Sequence, residues 1–188
     1  ASALAEKIRL QAYNNKKEYD KVIELGENAA LAQTTEEEKS DVFFIIGAAY
    51  NAKYNAGGNK DAALKALLDV KSDDMIGTLY NVAKDDKANS QKVLKRYADL
   101  VKKSQNPAVR KVQLYSQAME LATETSLQNH LVQLLGETNI YPALVLVEKY
   151  MDSPVQSTRT TAAAAVRGIV SKNIETLGGD DVRRALEK

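Results

Sequence analysis

His130 is the only histidine, and the chain has no cysteine. Those two facts remove most catalytic options. A multi-histidine metal site lacks its ligands, and thiolate zinc, thiol catalysis and disulfides lack their sulfur. His130 stands beside Leu131 and reads as a polar surface residue or one lying between helices. Oxygen ligands exist in Asp73-Asp74, Asp85-Asp86 and Asp180-Asp181. None has the alternating spacing and distal glutamate of a calcium loop, so these pairs read as helix caps and solvated turns. Gly57-Gly58-Asn59-Lys60 sets two glycines before a cation. It lacks the spaced glycines and terminal Ser/Thr of a phosphate loop, and reads as a helix stop followed by an N-cap. No catalytic residue, metal ligand or cofactor is assigned, and the chain is expected not to be an enzyme.

The tyrosines offer recognition rather than catalysis. There are nine, against two phenylalanines and no tryptophan. Tyr50 and Tyr54 fall one helical turn apart, with Asn51 and Asn55 beside them and Lys53 between. Displayed, this aromatic and amide cluster suits a peptide, because tyrosine supplies apolar area with a polar tip. Turned inward, the rings would fill the seam between helix pairs. Tyr50, Asn51, Tyr54 and Asn55 are the binding residues that the displayed arrangement predicts.

The elements that must position these residues are helices. Only three prolines and nine glycines interrupt a chain rich in Ala, Leu, Lys, Glu and Gln. Leu4, Ile8 and Tyr13, then Tyr19, Val22, Ile23 and Gly26, recur as on one helix face, predicting helices over about 3–13 and 16–32 with a turn at Asn14-Asn15. Thr35-Glu36-Glu37-Glu38 is a capping box that opens a helix to about Asn55. Asn59 and Ser72 are read as caps of the next two short helices. A helix near 89–103 places Val93, Leu94, Tyr97, Leu100 and Val101 on one side. Asn106 as N-cap with Pro107 at the first helical position starts the next, to about Thr123. Thr125-Ser126-Leu127-Gln128 resembles a second capping box. Apolar Ile140–Met151, a restart at Ser153-Pro154, alanine-rich Thr160–Val170, a break at Gly178-Gly179-Asp180 and a final pattern over Val182–Lys188 complete the chain. Eleven or so short helices on short connections fit antiparallel pairs, each covering the apolar stripe of the last.

Composition sets the outer bounds. The 188 residues suit one domain or two small helical halves, and 44% hydrophobic with 27% charged residues argues against disorder. The formal net charge is +1, and no basic run exceeds two residues. A duplex-binding protein concentrates cations to neutralise phosphates, so no nucleic-acid partner is expected. No apolar run approaches the roughly 18 residues of a membrane span. The start at Ala1-Ser2-Ala3 lacks methionine and an apolar leader, which suggests a processed or trimmed piece of a longer protein. A bacterial periplasmic or secreted origin is compatible with that.

Two segments carry a resemblance. Tyr141–Asp152 looks like the first helix of a HEAT repeat, and Pro154, Arg159, Ala162, Val166 and Gly168 match the Pro, Arg, Ala, aliphatic and Gly positions of the second. Val93–Lys103 with Pro107, Val109 and Arg110 is similar, and the two prolines stand 47 residues apart. Gln113 replaces the usual small residue there, and segment 126–136 leaves an armadillo-like three-helix unit open. In the N-terminal half, Ala12–Ile23 resembles the turn between the helices of a tetratricopeptide unit, and Ile46–Tyr50 with Asp61–Leu64 resembles a second. The resemblance implies an all-α, right-handed solenoid over 1–188, tetratricopeptide-like over 1–70 and HEAT-like over 71–188. It implies a protein or peptide partner on the concave face, with Arg110 and Arg159 first structural. The alternatives are an accessory domain of a larger secreted bacterial enzyme and, more distantly, a HEAT-like nucleic-acid enzyme of the alkylpurine glycosylase type.

Overall fold

A computed structural model of the chain describes residues 2–55, 60–69, 73–174 and Arg184, the side chains of 36, 37, 40, 54, 55, 60–63 and 66 excepted. Every regular element among them is helical: α1 (Ala3–Asn15), α2 (Tyr19–Leu31), α3 (Glu36–Asn55), α4 (Lys60–Asp69), α5 (Ile76–Asp85), α6 (Ser90–Lys103), α7 (Ala108–Leu121), α8 (Thr125–Glu137), α9 (Tyr141–Glu148) and α10 (Gln156–Asn173). Short 3-10 turns, Asp73–Met75 and Lys149–Asp152, precede α5 and follow α9. The chain is all-α, as its composition predicts. The expected breaks at Gly57-Gly58-Asn59 and Gly178-Gly179-Asp180, the Ser72 cap and the Val182–Lys188 pattern lie outside the described residues.

The contacts divide the chain into two compact units, Ala1–Val82 and Ala83–Lys188, with the boundary inside α5. In the first, α2 packs on both α1 and α3, and α1 also touches α3. Ser2 caps α1 by accepting from the Ala5 N–H at 3.3 Å. The reversal after α1 falls at Lys16-Lys17 rather than Asn14-Asn15, because Lys17 takes the left-handed conformation, φ 61°. The predicted capping box forms: Glu38 N–H donates to Thr35 Oγ1 at 3.2 Å, and Thr35 N–H donates to Glu38 Oε2 at 3.1 Å. The Thr34 hydroxyl donates to Glu38 Oε2 at 3.0 Å and, foremost among the Thr34 and Thr35 donors, holds the Glu38 carboxyl below its ordinary range. Val22, Ala29, Ala30, Val42, Ile46 and Ala49 form the core. A Cβ at Gly26 would stand 2.5 Å from Ile46 Cγ1, so only glycine lets α2 approach α3 this closely.

In the second unit, each helix from α6 to α10 packs on the next, and the pairs α6–α8, α7–α9 and α8–α10 also touch. Val93, Leu94, Tyr97, Leu100 and Val101 are all buried, and the Tyr97 hydroxyl donates to the Leu114 carbonyl at 2.9 Å. A Cβ at Gly136 would meet Ala165 Cβ at 2.6 Å, which places α8 against α10 through their backbones.

Three predicted helix starts differ in detail. Pro107 is itself the N-cap of α7, with ψ 156°, while the Asn106 amide donates to Ser104 Oγ at 3.0 Å. At the other proline, α10 starts at Gln156, after Val155 as N-cap. Arg159 donates to the Ser153 carbonyl at 2.6 Å, whereas Arg110 donates to Gln113, so the two arginines serve different partners. The Thr125 box does not form. Glu124 is the N-cap, and Gln91 on α6 reaches over instead, accepting from Thr123 N–H at 2.8 Å and Glu124 N–H at 3.1 Å. A side chain 32 residues away can thus fix the approach to a helix whose own first turn has no side-chain cap.

Candidate functional site

The predicted cluster on α3 splits by environment. Tyr50 is 8% exposed, and burial, reinforced by Glu27 and Asp69, pushes its phenol up to about 12. Asn51 is half-buried. The side chains of Tyr54 and Asn55 lie outside the described residues. Of the four, then, Tyr50 is turned into the packing, and Asn51 sits at its edge.

Among the described residues of this unit, large apolar side chains are exposed on α1 and α3, and Leu31 at the end of α2 is exposed as well. Leu4 and Ile8 on α1 are 64% and 60% exposed, and Phe44 on α3 is 78% exposed. The sequence pattern put Leu4 and Ile8 on a core face, but the buried side of α1 centres on Leu10. The stripe that they begin continues through Gln11 and Asn15, whose side chains hydrogen-bond to each other at 2.9 Å in the exposed zone. That change to polar residues was a signal of a solvent face. Phe44 is the outward member of the run Val42–Ile46, in which Val42, Ile45 and Ile46 are buried. Because α2 runs against both neighbours, α1 and α3 point the same way. Lys7, between Leu4 and Ile8, pairs with Asp41, one turn before Phe44. The ion pair therefore links two helices that both display apolar side chains. A neutralised pair flanked by Leu, Ile and Phe can bury apolar area without stranding a charge.

The second unit has several recesses among its described residues, and two of them bear on possible chemistry. One, of ≈ 440 Å³, is lined by Lys92, Lys95, Asp99, Ser126 and His130 among others. His130 Nε2 stands 3.6 Å from Asp99 Oδ1, beyond hydrogen-bond reach, and no hydrogen bond joins Ser126 to His130. The cleft mixes both charge signs without an assembled nucleophile and base. The other, of ≈ 640 Å³, runs between α8 and α10 past Gln133, Asn139, Thr161, Ala164 and Gly168. Among the described residues no group of three or more His, Asp or Glu side chains could hold a metal ion, and no helix is long and apolar enough to cross a membrane. No protein family, curated protein or solved structure matches the chain.

Proposed function

We propose that the chain is a non-catalytic interaction module, a right-handed stack of helical pairs that binds a protein or peptide through its first helices. The observation that carries the binding role is the exposure of Leu4, Ile8 and Phe44 on two helices that lie side by side. Large apolar side chains held outward on a rigid frame gain by burial against a partner, and an aromatic ring at the centre supplies most of that gain. Asn51, half-buried on the same helix as Phe44, would supply a polar contact at the rim.

The stacked arrangement is supported by a recurring separation. Polar links between helices, or between a helix and a turn, include Lys7 to Asp41, Asp20 to Lys53, Gln91 to Thr123, Asn129 to Thr158 and Asn139 to Asn173, spanning 34, 33, 32, 29 and 34 residues. A helix pair of about 34 residues repeated along the chain brings equivalent positions together at that interval. Small-angle scattering tests the stack: the radius of gyration should exceed the roughly 16 Å of a compact globule of this length.

Binding is tested by selecting random dodecamer peptides on the intact protein and measuring the survivors by calorimetry. The selected peptides should carry bulky apolar residues. Phe44→Ala should weaken them by about 2 kcal/mol, roughly thirtyfold. As an exposed substitution it should leave stability within about 0.5 kcal/mol. Peptides that bind Phe44→Ala and Ile8→Asn as well as the unaltered protein would rule this face out.

A further inference from the structure

Helix α6 carries five cations, Lys92, Lys95, Arg96, Lys102 and Lys103, against one carboxylate, Asp99. It lies beside α8 and runs in the same direction, because Gln91 reaches the Thr123 and Glu124 amides at one end and Lys102 pairs with Glu137 at 2.9 Å at the other. The ≈ 440 Å³ recess starts at the first of these links and extends to Asp99 and His130. Lys92 and Lys95 stand on its α6 wall, while Glu124, Ser126 and Leu127 stand on its α8 wall. Both lysines are exposed, and among the described residues no carboxylate lies within 4.0 Å of either ammonium. One wall therefore offers two unpaired cations three residues apart, and the other offers an uncharged stretch next to an acid.

An extended chain lying along such a recess turns alternate side chains to its two walls. Its same-side residues recur at about 6.6–6.8 Å, close to the roughly 5–6 Å between helical positions three apart. We propose that this recess is a second binding site, distinct from the face on α1 and α3, for an extended acidic peptide in which two carboxylates flanking an uncharged residue pair with Lys92 and Lys95. The carboxylates face α6, where the unpaired cations are. The intervening residues face α8, where Glu124 repels a further carboxylate and Leu127 gains from an apolar neighbour. Exposed ion pairs are individually weak and screened by salt, so alternation, rather than total charge, sets the preference.

Two fluorescein-labelled peptides of one composition test this by fluorescence anisotropy on the full chain: Gly-Glu-Leu-Glu-Leu-Gly, which alternates, and Gly-Leu-Glu-Glu-Leu-Gly, which does not. The alternating peptide should bind about fivefold more tightly in about 50 mM sodium chloride, and should weaken about fivefold in about 300 mM. Lys92→Gln combined with Lys95→Gln should weaken it about tenfold and abolish the preference, while Lys92→Arg with Lys95→Arg should retain both. Both positions are exposed, so these variants should keep the urea midpoint of the unaltered protein. Phe44→Ala should leave this binding unchanged, which separates it from binding at the first helices. Absence of binding, equal binding of the two peptides, or equally tight binding of a short single-stranded RNA would overturn the proposal, the last two by showing a general anion surface. Self-association of the chain that the paired Lys→Gln substitutions abolish would also overturn it, by showing that a second copy fills the recess.

Discussion

Two glycines in the second unit make opposite predictions from the same substitution. At Gly136 an added methyl would lie 2.6 Å from Ala165 Cβ and 2.9 Å from its Cα, and backbone cannot move aside cheaply. Gly136→Ala should therefore destabilise by about 2–3 kcal/mol, seen as a lower urea midpoint. At Gly168, inside α10, an added methyl meets nothing within 4 Å. Gly168→Ala should stabilise by about 0.5–1 kcal/mol, because alanine loses less backbone freedom on forming helix. The sequence shows two glycines near helical patterns and cannot distinguish them. What separates them is the crossing of α8 and α10, which sets Gly136 against Ala165 and leaves Gly168 clear.

Helix ends show how far local reading extends. The Thr35–Glu38 box forms as predicted because every group in it lies within four residues. Thr35→Ala should cost about 1 kcal/mol, with loss of amide-exchange protection confined to the first turn of α3. The α8 start failed the same reading because its N–H partners come from Gln91. Gln91→Ala should cost about 1–2 kcal/mol and raise exchange at Thr123 and Glu124, while Thr125→Ala should change little. The helices themselves were legible, since periodic apolar residues such as Val93, Leu94, Tyr97 and Leu100 mark a buried stripe wherever the partner lies. The α1 face was not. Leu4 and Ile8 have the spacing of a core stripe, and only the packing of α1 on α2 and α3, which buries Leu10, decides that they remain outside. The interaction surface is invisible to periodicity for the same reason: an apolar side chain awaiting a partner and one already covered look identical in sequence.

At the scale of the whole chain, each unit carries a buried phenol held protonated. Tyr50 in the first and Tyr115 in the second are both raised by burial to about 12 from an ordinary 10.0, with Glu27 and Asp69 adding to the first and Glu137 and Asp99 to the second. A raised phenol pKa means that the folded chain holds its proton more tightly than the unfolded chain. The associated stability is complete below pH 10 and is lost as pH rises from there towards 12. Urea midpoints should be level on this account just below about pH 10 and fall above it, and Tyr50→Phe should remove part of that slope. The links between helices have a consequence for how the chain reaches this state. Lys7–Asp41, Gln91–Thr123 and Asn139–Asn173 close loops of only 32–34 residues, so the entropy of closure is modest and does not grow with chain length. Contacts this local favour folding in milliseconds or faster, and they allow each helix pair to form as it leaves the ribosome, before the rest has been made.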